Sequence, residues 1–297
     1  MSQTHFTDIF VSAPDGLKLH ARSYGPRLAS TLPVVCLPGL ARTAADFDPL
    51  AKVLASDPTE PRWVLAVDYR GRGASEYDRN PDNYALPVEL ADLTTLLTAL
   101  EVSSAVFIGT SRGGLLTMML AASRPTALAG AILNDIGPVI EPKGLMRIKS
   151  YVGKLPTPRS YEEGAEILRR LFAAQFPKFE TQDWLAFSHR TWKEDNKQLV
   201  PDYDVKLATT LANADFEQRL PSLWHQFDAL ARVPLMVIRG ANSDILSPET
   251  VTAMRERRYD LDTIEVPDQG HAPLLAEPDL IRRIANFIVF CEISARH

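Results

Sequence analysis

The chain has 297 residues, 45% hydrophobic and 23% charged, proportions that exclude a disordered or fibrous protein. With 37 Asp+Glu against 32 Lys+Arg, the formal net charge of -5 argues against a nucleic-acid surface and gives no reason to expect an anionic membrane as partner. No apolar run approaches the roughly 18 residues of a membrane helix, and the start, MSQTHFTDIFV, has neither the basic nor the apolar part of a secretion signal.

The first segments read as two strands, FTDIFV and LKLHARSY, joined through APDG, whose Asp-Gly pair suits a tight reversal. PVVCLPG is a short apolar strand closed by Pro-Gly. After residue 44 the period changes: Phe47, Leu50, Ala51 and Leu54 fall at helical spacing. WVLAVDYRG is a further strand, and residues 87–101 read as a helix with Pro87 in its first turn. AVFIG, LLTMMLAASR and LAGAILND then give strand, helix and strand. Apolar strands separated by helices imply a parallel sheet covered on both faces.

The alternation stops at 137–225, a stretch rich in Pro, aromatics and charge that reads as helical, with no convincing strand. It resumes with PLMVIRG as a strand, a helix near 248–258, DTIEVPD as a strand and a final helix from about 274 to 291. The predicted fold class is α/β: a mostly parallel eight-stranded sheet flanked by helices. Its core is formed by 1–136 and 226–297, with a helical cap inserted at 137–225. Cys36 and Cys291 both sit in apolar stretches and are expected to be buried free thiols in a reducing, cytoplasmic setting.

The sharpest chemical signal is Gly109-Thr110-Ser111-Arg112-Gly113, a G-x-S-x-G run between a strand and a helix. A serine in so tight a turn needs neighbours without Cβ atoms, because the flanking backbones come close. A serine hydroxyl is a weak nucleophile alone and needs a base, usually a histidine oriented by a carboxylate. His271, in Gln269-Gly270-His271-Ala272-Pro273 before the last helix, is the best placed. His5 and His297 are near the termini, His20 lies in an early strand, and His189 and His225 lie in or beside the insert. The carboxylate should fall between serine and histidine in chain order. Asp244, just after the strand LMVI, is the expected acid, with Asp135, after AGAIL, its competitor.

In this order the motifs resemble the α/β-hydrolase superfamily over nearly the whole chain: LPGLAR, DYRGRGAS, GTSRGG, RGANSDIL and QGHAPLLAEP. The resemblance implies Ser111 as nucleophile, Asp244 as acid and His271 as base. It also implies an oxyanion hole from the backbone N–H groups of Leu40 and Arg112, and a lid in the insert. Where members commonly have His-Gly, this chain has Pro38-Gly39. The Arg112 side chain is expected in an ion pair and not on substrate. No cluster has metal-ligand spacing and no dinucleotide fingerprint is present, so no cofactor and no metal is expected.

The function these features predict is serine-dependent hydrolysis of a small or medium carboxylic ester, lactone or thioester through an acyl-enzyme. The expected partner is a small apolar acyl substrate. Phe172, Phe176, Phe179, Trp184, Phe187 and Trp192 of the insert are candidates for its pocket, although most are expected to pack the lid onto the body. Alternatives are carbon–carbon bond hydrolysis of a keto acid or cofactor-free perhydrolysis on the same fold, and a non-catalytic ligand-binding member.

Overall fold

A computed structural model describes residues 6–28, 30–212 and 220–295. The first five residues with His5, part of the insert at 213–219, and His297 lie outside the described residues.

The opening hairpin forms as the turn chemistry predicts. β1 (Thr7–Ser12) pairs antiparallel with β2 (Lys18–Tyr24), and Gly16 takes a φ of 87° in the turn between them. The apolar runs then become β3 (Val34–Leu37), β4 (Val64–Asp68), β5 (Ala105–Thr110) and β6 (Leu128–Asn134). β3 is buried along its whole length, as both-faced burial requires of a central parallel strand. Between these strands run α1 (Asp48–Ala55), α2 (Leu86–Ala99) and α3 (Arg112–Ser123).

After β6 come α4 (Pro142–Tyr151), α5 (Tyr161–Phe172) and α6 (Thr181–His189), then a hairpin of β7 (Trp192–Asp195) and β8 (Gln198–Pro201). The short helices α7 (Thr209–Ala212) and α8 (Trp224–Asp228) lead to β9 (Leu235–Gly240), α9 (Pro248–Arg257), β10 (Asp262–Val266) and α10 (Pro278–Ala295).

The main sheet has eight strands in the order β1-β2-β4-β3-β5-β6-β9-β10. Only β2 runs against its neighbours; every other pairing from β4 to β10 is parallel. The α/β class with a mostly parallel eight-stranded sheet is therefore as the sequence predicts. Two apolar clusters fill its two faces. One is centred on Leu65, Phe107 and Leu133 under α2 and α3, the other on Val34, Ile108 and Ile238 under α1 and α10. A separate small cluster, including Leu168, Phe172, Phe176 and Trp184, holds the inserted helices together.

Two details of the insert differ from expectation. It contains the β7–β8 hairpin, whose turn uses Asn196 and Lys197 at φ of 49° and 64° in place of a glycine. The expected boundary at 225/226 also falls inside α8, whose Phe227 belongs to the core of the body. The last helix starts at Pro278 and not at 274, after Glu277-Pro278 sets its first turn. Both cysteines are free and buried. Among the described residues, no helix is long and apolar enough to cross a membrane.

Candidate active site

The carboxyl ends of β5, β6 and β9 adjoin in the sheet, so the loops leaving them converge on one spot. β5 delivers Ser111 at φ 51°, ψ -112°, a conformation costly to any residue with a side chain. The turn survives because its glycines let backbones touch: a Cβ at Gly109 would strike the Gly113 carbonyl, and one at Gly113 would strike the Leu37 carbonyl. The Ser111 N–H donates to the Asn134 carbonyl at 3.0 Å, pinning the turn to β6. The serine side chain is thereby held out at the head of α3.

His271 meets Ser111 from the loop before α10. Its Nε2 lies 2.9 Å from Ser111 Oγ, and its Nδ1 lies 2.8 Å from Asp135 Oδ2. A carboxylate only accepts, so Nδ1 donates to Asp135 and Nε2 is left to accept the serine proton. Asp135 is fully buried at the end of β6 and held from several sides. Its Oδ1 accepts the Gly240 N–H at 2.9 Å, and its Oδ2 also accepts the Ser243 hydroxyl at 2.6 Å.

The expected pairing of Asp244 with His271 is therefore corrected: the carboxylate on the histidine belongs to Asp135, the competitor. Asp244 is engaged elsewhere. Its two oxygens accept Arg147 Nε at 2.6 Å and Nη2 at 2.7 Å, from α4 of the insert. Burial raises its pKa, but the arginine outweighs that and leaves the group below its ordinary value.

The loop after β3 closes the other side. Leu40 and Ser111 line the same pocket. The Leu40 carbonyl accepts Arg72 Nε at 2.9 Å, and no described residue accepts the Leu40 N–H. The Arg112 N–H opens α3, where first-turn donors have no helical acceptor. The Arg112 side chain points away from substrate space: its Nε donates to buried Glu89 at 2.6 Å, and its Nη2 to the Tyr84 carbonyl at 3.0 Å. Glu89 also pairs with Arg72 at 2.7 Å. One carboxylate thus joins the arginine that holds Leu40 to the arginine that follows Ser111.

The pocket above Ser111 has a cavity volume of ≈ 120 Å³. Of the six aromatics singled out in the sequence, Phe172, Phe176 and Phe187 line it, while Trp184 and Trp192 are buried in the insert's own core. Phe179 packs against that core. Arg42, Tyr151 and Tyr203 also line the pocket and were not found by sequence reasoning. Arg42 follows the Pro38-Gly39 loop by three residues, which was its available signal. Gln175, from the turn between α5 and α6, was missed as well. Its Oε1 accepts the His271 N–H at 2.8 Å and its Nε2 donates to the Asn242 carbonyl at 3.2 Å.

Comparison with known proteins agrees with this architecture. A family model described as "Alpha/beta hydrolase family" matches residues 34–284. A 3-hydroxybutyrate-oligomer hydrolase of Cupriavidus necator is 33% identical over 261 residues, 86% of this chain and 87% of that protein. A 2-(acetamidomethylene)succinate hydrolase of Mesorhizobium japonicum is 25% identical over 251 residues, 84% and 85% of the two chains. The crystal structure of an alpha/beta hydrolase from Novosphingobium aromaticivorans superposes with a TM-score of 0.88 at 37% identity, covering 97% of this chain and 99% of that one.

Proposed function

This chain belongs to the alpha/beta hydrolase family, and from that premise we propose that it is a serine hydrolase of small or medium carboxylic esters. The reading rests on one observation above others: the hydrogen-bonded chain from Ser111 Oγ through His271 to Asp135, at 2.9 and 2.8 Å.

In the proposed mechanism His271 Nε2 takes the Ser111 proton as Oγ attacks the acyl carbon. The N–H groups of Leu40 and Arg112 stabilise the oxyanion. His271 then returns the proton to the leaving alcohol. A water enters, gives its proton to His271 and attacks the acyl carbon, and collapse of that adduct frees the acid and restores the Ser111 hydroxyl. Asp135 holds the histidine tautomer and steadies the imidazolium. The insert, proposed as a cap that begins after β6, supplies Phe172, Phe176 and Phe187 as an apolar wall. A cavity this compact suits a short acyl group and not a polymer. The Cupriavidus relative adds a short hydroxyacyl ester to the candidate substrates. Two free buried thiols fit a reducing, cytoplasmic setting.

The test is hydrolysis of 4-nitrophenyl esters from acetyl to dodecanoyl by wild type and Ser111→Ala. The expected result is a short-chain optimum and a loss of at least about 10⁴-fold in kcat in the variant. Labelling of Ser111 by a fluorophosphonate without any ester turnover would favour the keto-acid alternative. Neither turnover nor labelling would favour a non-catalytic member of the fold.

A further inference from the structure

We propose that Arg42 makes the end of this pocket a carboxylate subsite, so that the preferred substrate is an ester whose acyl group carries an acid. The inference rests on the serine-hydrolase reading above and specifies the substrate class of the same site.

The first observation is position. Arg42 leaves the same loop as Leu40, and its side chain lines the pocket with Ser111. A Cβ placed on Gly39 would lie 3.4 Å from Arg42 Cγ and 3.9 Å from Ser111 Cβ. The arginine stem and the nucleophile are thus within contact of a single point, and the guanidinium lies only a few bonds farther out.

The second observation is charge. Arg42 Nε and Nη2 donate to Asp46 at 2.7 and 2.5 Å, and Nη1 donates to Thr191 Oγ1 at 2.9 Å. A guanidinium has five N–H groups, so one on each Nη has no acceptor among the described residues. Asp46 does not belong to Arg42 alone: Arg190 Nε stands 3.6 Å from the same carboxylate. The two guanidiniums thus share the Asp46 carboxylate. Burial and the repulsion of Arg42 hold Arg190 below the ordinary arginine range, against the attraction of Asp46, with lesser help from Asp48 and Asp183. A further anion would relieve that repulsion.

The third observation is preorganisation. The Phe187 ring lies 4.8 Å from the Arg42 guanidinium carbon, and Asp46 and Thr191 fix the plane of the fork. An arginine held this way receives a carboxylate with little loss of side-chain freedom. Tyr151 lines the same pocket, and its phenol lies in the fields of Arg147 and Arg42.

The test compares 4-nitrophenyl hydrogen glutarate with the neutral, length-matched 4-nitrophenyl hexanoate. Wild type should favour the acid by about tenfold or more in kcat/KM. In Arg42→Gln the ratio should fall to about one, and Arg42→Lys should recover part of it. Free glutarate should inhibit hexanoate hydrolysis competitively in wild type, a readout that needs no variant. A wild-type ratio of one or below, or a ratio unchanged in a folded Arg42→Gln, would overturn the subsite while leaving the hydrolase intact. Absence of both ester turnover and Ser111 labelling would overturn the hydrolase reading and the subsite with it.

Discussion

Glu89 and Arg112, 23 residues apart in the chain, are joined by a 2.6 Å ion pair that ends beside Ser111, the proposed nucleophile. Glu89 is wholly buried, and its second partner, Arg72, holds the Leu40 carbonyl. Both proposed oxyanion donors therefore belong to residues that one carboxylate braces, directly at the Arg112 side chain and through Arg72 at the Leu40 carbonyl. Glu89→Gln should keep the fold but loosen the two N–H groups. The expected effect is a fall in kcat of about tenfold or more with little change in KM, since an oxyanion donor acts on the transition state. Glu89→Ala should be worse for stability, by about 3–5 kcal/mol, because it strands two guanidiniums. Steady-state kinetics and denaturant unfolding check the two claims.

The acid is settled by a pair of asparagine variants. Asp135→Asn removes the acceptor on His271 Nδ1 and should cost about 10⁴-fold in kcat. Asp244→Asn breaks the ion pair with Arg147 and should leave kcat within about tenfold, with a lower Tm. The opposite ranking would return the acid role to Asp244.

His20 predicts a pH dependence of stability. It is almost fully buried, with Nδ1 2.6 Å from Asp68 and Nε2 2.8 Å from Asp8. Burial pulls its pKa down, but the carboxylates of Asp68 and Asp8 outweigh it and raise the folded value above that of an ordinary histidine. The sign follows: the contribution is fully present below the unfolded pKa and is lost as pH rises through the higher folded one. The Tm advantage of wild type over His20→Gln should be largest at pH 6 and shrink towards pH 9, by about 2–4 °C for each kcal/mol of linkage. An advantage that does not change with pH would sink the claim.

Strand and helix order, the Ser111 elbow and the His271 loop were legible because each depends on a short local pattern. The acid was not. Asp135 and Asp244 follow β6 and β9, which are neighbours in the sheet, so topology alone offers both. What separates them is Arg147, which comes from α4 in the insert and occupies Asp244. The β7–β8 hairpin was missed for a different reason. Its strands have four residues each, β7 is mostly charged, and Asn196-Lys197 does not carry the glycine that marks such a turn. Arg42 was passed over because a single arginine after a loop has no meaning until Phe187 and Thr191, far along the chain, close around it.

Gln175 belongs to the inserted helices, yet its amide grips the two loops of the body that carry His271 and Asn242. The backbone of Asn242 receives that grip, and its side chain returns it at 3.3 Å to the Gln175 carbonyl. Any displacement that carries the α5–α6 turn outward must strip the His271 N–H of its acceptor. Unroofing the chamber at that turn and unfastening the proposed base are thus one movement.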